Sequence, residues 1–269
     1  MENTSDYKLK KLKKLLKEMG SLAIAYSGGV DSTFLTKVAY DVLKDNAIAF
    51  TVVLPMFPKY EKKQAKNFSK EIGIKHVFIK LDEKQLKEVY KNDINRCYKC
   101  KKIIFSKIKE TAEKHNIKNV IEASNVDDLH DYRPGLKALK KFNIKSPLID
   151  VKLSKAEIRN LSKKLKLKSW DMPSSACLAT RFPYGTIITK KRLYQVEKAE
   201  DFLRSLNIKQ VRVRYYFETA KIEVLKQDFQ KIIKNSDKIV KYFKDLGFTY
   251  INLDLRGYRS GSLNEVLKK

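Results

Sequence analysis

Short apolar runs alternate with amphipathic segments over the first half of the chain. The runs expected to form strands lie at 22–26, 48–54, 76–81 and 120–123, with a weaker candidate at 144–148. The segments between them carry apolar residues at helical spacing and are centred near Leu35, Ala65, Leu86, Ile108 and Ala138. Strands and helices in this alternating order predict a doubly wound parallel α/β sheet. In such a sheet the ligand crevice lies at the carboxyl ends of the strands.

The pattern changes in the last third of the chain. A helix expected at 154–165 leads into an irregular stretch that ends near Gly185. Beyond it we expect helices at 190–206 and 228–246, and strands at 211–217, 221–225 and 250–255. This order predicts a small α+β domain with a mixed or antiparallel sheet. We therefore expect an α/β domain over 1–184 and an α+β domain over 185–269 that serves substrate binding or oligomerisation.

The loop after the first strand carries the most informative motif, Ser-Gly-Gly-Val-Asp-Ser at 27–32. Two glycines let the backbone turn tightly and approach a ligand, and the helix that follows presents unpaired N–H groups, so the segment suits pyrophosphate. Its spacing is neither that of the Walker loop nor that of the dinucleotide fingerprint. Asp31 would repel a phosphate unless a cation lay between them, which indicates Mg²⁺. The alternative is a plain strand-to-helix turn with a serine cap.

Composition and charge narrow the class of protein. The 269 residues are 43% hydrophobic, which is enough for a sizeable core. No run is long enough to cross a bilayer and the start lacks the apolar segment of a signal peptide, so we expect a cytoplasmic protein with no membrane partner. A lysine-rich segment at 8–16 has a narrow leucine stripe, which favours a helix packed on the core over a membrane-surface helix. The net charge of +27 favours polyanionic partners, but lysines spread through helical segments usually form solvated faces, so nucleic acid is the less favoured partner.

The cysteines Cys97, Cys100 and Cys177 are a second candidate for chemistry. An odd, sparse set without a secretion signal argues against a disulfide framework. Cys97 and Cys100 have the C-x-x-C spacing that lets two sulfurs reach one metal centre, and the basic residues around them favour thiolates. With Cys177, which lies in another loop, three thiolates can hold a 4Fe-4S cluster and leave its fourth iron without a protein ligand. The residues alone favour the cluster but also allow a zinc site completed by His76, His115 or His130, a redox dithiol, or three unrelated thiols.

Four segments carry a resemblance to a known family. They read Ala-Tyr-Ser-Gly-Gly-Val-Asp-Ser at 25–32, Asn-Val-Asp-Asp-Leu-His-Asp-Tyr-Arg-Pro-Gly at 125–135, Ser-Ser-Ala-Cys-Leu-Ala-Thr-Arg-Phe-Pro-Tyr-Gly-Thr at 174–186, and Gly-Tyr-Arg-Ser-Gly-Ser at 257–262. The first contains the S-G-G-x-D-S signature of PP-loop ATP pyrophosphatases, and the third is the most diagnostic. Together they resemble the LarE family, the ATP-dependent sulfur-insertion enzymes that assemble the nickel-pincer nucleotide cofactor.

The resemblance implies a substrate and a reaction. The substrate would be pyridinium-3,5-biscarboxylic acid mononucleotide, whose carboxylate is adenylated by ATP before sulfur from sulfide or another donor displaces AMP. Cys177 matches the sulfur-bearing position of the family, and members that have this cysteine alone give up its sulfur. The presence of Cys97 and Cys100 departs from those members and favours the subtype with a 4Fe-4S cluster. The family also implies a homo-oligomer.

The expected site residues follow from the motif and the resemblance. Those expected to bind ATP are Ala25, Ser27, Gly28, Gly29, Asp31, Ser32 and Arg181. Those expected to bind the substrate are Arg212, Arg214, Asp128, Asp131, Arg133 and Glu200. The metal ligands would be Cys97, Cys100 and Cys177, and the catalytic residues would be Cys177 and Asp31.

Several of these residues also have a plain structural interpretation. Arg212 and Arg214 alternate on a predicted strand, so both point to one face and can clamp a phosphate, whereas pairing with Glu223 across the sheet is the alternative. Arg181 could equally be a surface cation, and Glu200 could lie on a solvated helix face. For the loop that contains Asp128, Asp131 and Arg133, helix capping competes with a role in holding Mg²⁺ or substrate.

Two rival functions remain open from the residues. A PP-loop tRNA thiolase also combines adenylation, a three-cysteine cluster and a basic surface. A zinc-stabilised nucleotide-binding module without turnover is the second rival.

Overall fold

The computed structural model describes residues 4–130, 135–173 and 176–267, which form two compact units. The first unit consists of two segments, the chain up to Lys87 and Asn95–Met172. The second unit consists of Glu88–Ile94 and the chain from Pro173 onward. Residues 173–184, which the sequence analysis assigned to the first domain, therefore lie in the second unit. Asn92 contributes to this arrangement, because its side-chain amide donates to the carbonyls of Phe182 and Pro183, at 3.4 and 2.7 Å.

The first unit contains a parallel sheet flanked by helices. Its elements are α1 (Thr4–Met19), β1 (Leu22–Ala25), α2 (Val30–Leu43), β2 (Ala47–Val53), α3 (Lys59–Ile72), β3 (Lys75–Lys80), α4 (Lys87–Tyr90, which continues into the second unit), α5 (Arg96–Glu113), β4 (Asn119–Ile121), α6 (Leu136–Phe142), α7 (Pro147–Asp150) and α8 (Lys155–Lys164). Among the described residues the strand order is β3-β2-β1-β4, and every pairing is parallel. The predicted doubly wound α/β sheet is confirmed.

The prediction of a fifth strand at 144–148 is wrong. The segment makes one isolated parallel bridge, between Ile121 and Lys145, and then turns into α7. Pro147 explains the change, because proline has no N–H to give to a sheet ladder and its fixed φ suits the first turn of a helix. The chain therefore leaves the sheet edge after a single bridge.

The central strand and the N-terminal helix share one hydrophobic core. Leu22 and Ile24 of β1 are fully buried, since neighbouring strands cover both edges and helices cover the faces. Leu12 and Leu16 of α1 are also fully buried in this core, so the leucine stripe packs inward as expected. Each such leucine contributes roughly 1.5–3 kcal/mol by leaving water. None of the described helices has the length and apolarity needed to span a bilayer.

The second unit is a small α+β structure. Its elements include α9 (Lys190–Ser205), β5 (Val211–Tyr216), β6 (Thr219–Val224), α10 (Phe229–Lys234), α11 (Ser236–Asp245) and β7 (Tyr250–Leu253). In the described chain β5 pairs with β6 antiparallel and β6 pairs with β7 parallel, so the sheet is mixed, as predicted. The helix expected over 228–246 is divided at Asn235 into α10 and α11.

Candidate active site

The loop between β1 and α2 is shaped by Gly28. Its φ is +78°, and a Cβ there would lie 2.7 Å from the Cβ of Ala65 on α3. Both facts require glycine, the first because L side chains strain in the left-handed region and the second because no side chain fits against α3. Gly29 follows as the N-cap of α2, and its carbonyl accepts the first helical bond, from Thr33 N at 2.9 Å.

Two serines hold this loop closed. The Oγ atoms of Ser27 and Ser32 lie 3.0 Å apart, and Ser32 Oγ donates to the Gly29 carbonyl at 3.2 Å. Gly29 N in turn donates to Ser27 Oγ at 3.4 Å. Ala25 precedes the loop as the last residue of β1. The loop is thus preformed at the carboxyl end of the central strand, where an α/β sheet places its ligand crevice.

Asp31, in the first turn of α2, has one paired and one unpaired carboxylate oxygen. Lys155 Nζ donates to Oδ2 at 2.6 Å, while Oδ1 is buried and has no hydrogen-bond partner among the described residues. Burial raises the pKa of Asp31 above its usual range, although Lys155 opposes this effect. A buried acceptor without a donor is unfavourable, and a divalent cation is one group that would satisfy it. Asp31 therefore fits the Mg²⁺ expected from the sequence.

Lys155 is a residue that the sequence analysis missed. It is the first residue of α8, where Ser154 forms a capping box with Glu157, and its backbone N–H donates to Asp127 Oδ2 at 2.8 Å. The signal available in the sequence was Ser-x-x-Glu at 154–157, which marks a helix start. That signal places Lys155 at the beginning of a helix without indicating that it reaches Asp31.

The loop after β4 contains Asp128 and is organised by local turn bonds. Asp128 Oδ2 accepts from Asn125 N at 3.1 Å, and Asn125 Oδ1 accepts from Asp127 N at 2.9 Å. The charge of Asp128 also contributes to raising the pKa of Asp31. Asp128 therefore has a turn-forming role and influences the loop aspartate, and its contact with Mg²⁺ or substrate stays a prediction. Asp131 and Arg133 lie outside the described residues.

His76 lies within a hydrogen-bonded network under the loop. Thr51 Oγ1 donates to the carbonyl of Tyr26 at 2.6 Å and lies 2.8 Å from the Nε2 atom of His76, with which it shares a hydrogen bond. Nδ1 of the ring lies 2.8 Å from Ser69 Oγ, whose hydroxyl donates to the carbonyl of Lys66 at 3.0 Å. Burial lowers the pKa of His76 to about 4. Both ring nitrogens already have hydroxyl partners, which disfavours His76 as the zinc ligand considered above.

Cys97 and Cys100 lie in the first turn of α5. Residues three apart on a helix share a face, so both thiols point to the same side. The Nη2 atom of the buried Arg96 lies 3.6 Å from Cys97 Sγ and donates to it. Within each unit, as far as it is described, no group of three or more His, Cys, Asp or Glu side chains is gathered at metal-binding distance. These two cysteines are thus a pair of donors suited to an iron–sulfur cluster or to zinc.

Cys177 lies in the second unit, directly before a short 3₁₀ turn, Leu178–Arg181. Its side chain is half-buried and is a thiol. Arg181 at the end of this turn is 1% exposed and is therefore not a surface cation. Its Nε and Nη2 atoms donate to the two carboxylate oxygens of Glu200, at 2.8 and 3.1 Å.

Glu200 is fully buried on α9, so it is not on a solvated helix face. Besides Arg181, its carboxylate accepts from Val213 N at 3.0 Å and from Arg204 at 2.8 Å. Burial alone would raise the pKa of Glu200, but the charges of Arg181, Arg204 and Arg212 hold it below its usual range. Glu200 is consequently an internal anion within a cluster of arginines.

Arg212 and Arg214 lie on the same face of β5 and are 5% and 7% exposed. Arg214 donates to Glu223 at 2.8 Å and to Ser262 Oγ at 2.7 Å, so pairing with Glu223 occurs, but within a buried face. The guanidinium of Arg212 stacks 5.3 Å from the centre of the Tyr258 ring. Ser262 and Tyr258 belong to the fourth sequence motif, and the structure brings them to the two arginines. Contact of these arginines with a phosphate stays a prediction.

A parallel sheet whose central strand leads into a glycine loop, a serine pair and an aspartate with one buried carboxylate oxygen defines a PP-loop protein. The family model described as the PP-loop domain matches residues 1–174. An uncharacterized protein of Synechocystis is 42% identical over 264 residues, which cover 97% of this chain and 98% of that protein. The pyridinium-3,5-bisthiocarboxylic acid mononucleotide synthase of Lactiplantibacillus plantarum is 34% identical over 255 residues, covering 94% of this chain and 92% of the synthase. An uncharacterized protein of Methanocaldococcus jannaschii is 36% identical over 256 residues, covering 94% of this chain and 98% of that protein.

These similarities extend through both units of the chain. The chain belongs to the LarE family of ATP-using PP-loop sulfurtransferases, which confirms the family predicted from the sequence.

Proposed function

We propose that this protein inserts sulfur into pyridinium-3,5-biscarboxylic acid mononucleotide, using ATP to activate the carboxylate. The observation that carries the proposal is the 34% identity to the synthase over 94% of the chain, because it includes both the PP loop and the second unit with Cys177. The buried Oδ1 atom of Asp31 and the preformed loop support the ATP-dependent half of the reaction.

Activation begins when a carboxylate oxygen of the substrate attacks the α-phosphorus of ATP. The bond from this phosphorus to the bridging oxygen breaks, and pyrophosphate leaves with the electron pair. The backbone N–H groups of the first turn of α2 would stabilise the negative charge that develops on the leaving group, since helix N-termini favour anions. Lys155, whose ammonium is paired with Asp31 at 2.6 Å, would supply a further positive charge beside the phosphates.

Asp31 is the residue of this chain best suited to hold Mg²⁺. Its Oδ1 atom is buried and has no donor within the described part of the chain, and carboxylate oxygens are the preferred ligands of this cation. Bound there, Mg²⁺ would neutralise charge on the phosphates of ATP. Asp128, whose charge already influences Asp31, is the second candidate carboxylate.

Sulfur insertion completes the reaction. A sulfur nucleophile at the oxidation level of sulfide attacks the acyl carbon, and the bond from carbon to the adenylate oxygen breaks, releasing AMP and leaving a thiocarboxylate. Adenylation makes this possible because AMP is a far better leaving group than the oxygen of a free carboxylate. Cys97, Cys100 and Cys177 would hold a 4Fe-4S cluster, which supplies one iron without a protein ligand where sulfide can bind. The C-x-x-C pair on one face of α5 beside Arg96 supports this assignment.

The second unit is proposed to bind the mononucleotide. Arg212 and Arg214 offer two guanidinium groups on one sheet face, and Ser262 and Tyr258 lie beside them. Guanidinium groups bind phosphate through paired hydrogen bonds, so this cluster is suited to the phosphate of the substrate. We also expect a homo-oligomer, as the family resemblance implies.

The test is anaerobic turnover with ATP and sulfide, with the pyridinium mononucleotide or tRNA offered separately. We expect pyrophosphate, AMP and a mononucleotide whose mass shows replacement of oxygen by sulfur. Asp31→Asn should lose most of this activity, because it removes the charge that holds Mg²⁺. Sulfur found in tRNA alone would contradict the proposal in favour of a tRNA thiolase. Bound zinc, with no iron and no pyrophosphate release, would favour the nucleotide-binding module.

A further inference from the structure

Arg181 makes contacts that the proposed chemistry does not use. Its Nη1 atom donates to the carbonyl of Ala176 at 2.7 Å, to the carbonyl of Cys177 at 3.2 Å and to Thr180 Oγ1 at 2.9 Å. The opposite side of the same guanidinium is bonded to Glu200. One buried side chain therefore ties the backbone at Cys177 to helix α9.

The carbonyl of Cys177 is held by several donors at once. Besides Arg181, it accepts from Thr180 N at 2.9 Å and from Thr180 Oγ1 at 2.8 Å. Three donors saturate a carbonyl, which has two lone pairs. The peptide plane that follows Cα of Cys177 is consequently fixed, although the residue lies outside any regular helix or strand.

Other arginines reinforce the same turn. Arg214 Nη1 donates to the carbonyl of Thr180, at the other end of the turn, and Arg214 is itself paired with Glu223. Glu200 is fixed to β5 by the backbone N–H of Val213. The turn is thus bonded to α9 through the buried Arg181–Glu200 ion pair and to β5 through the hydrogen bond from Arg214 to the Thr180 carbonyl.

We propose that the Arg181–Glu200 pair is a positioning device that fixes the loop bearing Cys177 on the α9–β5 scaffold. Buried ion pairs are retained where they specify one geometry, and the planar fork of arginine reaches both a carboxylate and two carbonyls in a way that lysine cannot. The consequence for catalysis rests on the proposed function, because it assumes that Cys177 serves sulfur transfer. Arg181 itself need touch neither ATP nor substrate.

The key variant is Arg181→Lys, which keeps the positive charge against Glu200 but loses the fork. Arg204→Lys is the matched control, because it makes the same change at a second arginine bonded to the same carboxylate, on α9 itself. Thr180→Val is a milder second variant that removes the hydroxyl shared by Arg181 and the Cys177 carbonyl. Thermal unfolding of each variant shows whether it is folded.

The first readout is the rate at which iodoacetamide alkylates each cysteine of the metal-free, full-length protein, followed by peptide mass spectrometry. We expect Arg181→Lys and Thr180→Val to alkylate Cys177 several-fold faster than the parent, because the loop is no longer held. Alkylation of Cys97 in the same sample should not change and serves as an internal reference. Arg204→Lys should match the parent at both cysteines.

The second readout separates kcat from KM in anaerobic turnover by the reconstituted protein. We expect kcat for sulfur transfer to fall roughly ten- to a hundredfold in Arg181→Lys, since a small misplacement of a reacting group has effects of this size, while KM for ATP changes little. If Arg181→Lys and Thr180→Val both alkylated Cys177 at the rate of the parent, the proposal would be overturned. A parent that makes no thiocarboxylate would overturn the proposed function instead, and the alkylation rates would still decide whether Arg181 holds the loop. Loss of ATP-dependent pyrophosphate release in Arg181→Lys would overturn the positioning role in favour of direct contact with ATP.

Discussion

Lys155 Nζ lies 2.6 Å from Asp31 Oδ2, so the cation that compensates the loop carboxylate comes from a helix start 124 residues later in the chain. The other oxygen of Asp31 is buried and accepts no hydrogen bond from any residue that the structure describes. A lysine in this position balances the charge of the loop carboxylate and, under the proposed function, would add a positive charge beside the phosphates of ATP. The PP loop therefore depends on α8 as well as on its own six residues.

Lys155→Met should lower the rate of ATP-dependent pyrophosphate release by roughly ten- to a hundredfold, because a charge that stabilises the leaving group is lost. The matched control is Lys164→Met on the same helix, where the lysine forms only a surface ion pair with Asp6. The measurement is steady-state pyrophosphate release with the pyridinium substrate present. Equal rates for the two variants would show that Lys155 has no part in activation.

Gly28→Ala should destabilise the protein by more than the strain of a positive φ alone. That strain costs roughly 1–2 kcal/mol. Gly20→Ala is the control that measures the strain alone, because Gly20 has φ +74° and no atom lies within 4 Å of the position of an added Cβ. At Gly28 the added Cβ would lie 2.7 Å from Ala65, and such overpacking adds about 1–3 kcal/mol. Urea unfolding of both variants gives the difference. Equal losses of stability in Gly28→Ala and Gly20→Ala would contradict the close contact between the loop and α3.

The free energy of unfolding should decrease as the pH falls from about 6.5 to about 4, in part because of His76. The pKa of His76 is about 4 in the folded protein and 6.5 in the unfolded chain. Between these two pH values the unfolded state therefore binds more protons than the folded state. The contribution is on the order of 1 kcal/mol, because the ring is only partly buried. Urea unfolding at the two ends of the window, in the parent and in His76→Gln, should show a smaller pH dependence in the variant. Identical pH dependence in both would exclude His76 as a source of acid sensitivity.

The elements of the first unit could be predicted because the apolar runs at β1 to β4 are continuous and bounded by helical segments. The run at 144–148 was misleading, since it has a strand's apolar content but contains Pro147. The role of Arg181 could not be predicted, because its burial depends on Glu200, which lies on another element and reaches it only in the folded unit. Lys155 was missed for the same reason. Local patterns specify elements and loop motifs, whereas ion pairs between distant segments depend on the tertiary structure.

The three cysteines should behave as cluster ligands. We expect Cys97→Ser and Cys100→Ser to lose most of the iron found after anaerobic purification and to lose repeated turnover, because serine is a poor ligand for iron–sulfur clusters. Peptide mass spectrometry of the parent after several turnovers should find Cys177 intact. Dehydroalanine at position 177 would instead show that the cysteine gives up its own sulfur and that the other two cysteines serve another purpose.

The most direct test of the whole account is the fate of oxygen in the substrate. The pyridinium mononucleotide, labelled with ¹⁸O in its carboxylates, is turned over anaerobically with ATP and sulfide, and the AMP is analysed by mass spectrometry. Because the carboxylate attacks the α-phosphorus and sulfur later displaces AMP at carbon, each AMP should carry one labelled oxygen. Unlabelled AMP would mean that water or another group attacks ATP, which would contradict the proposed activation of the carboxylate.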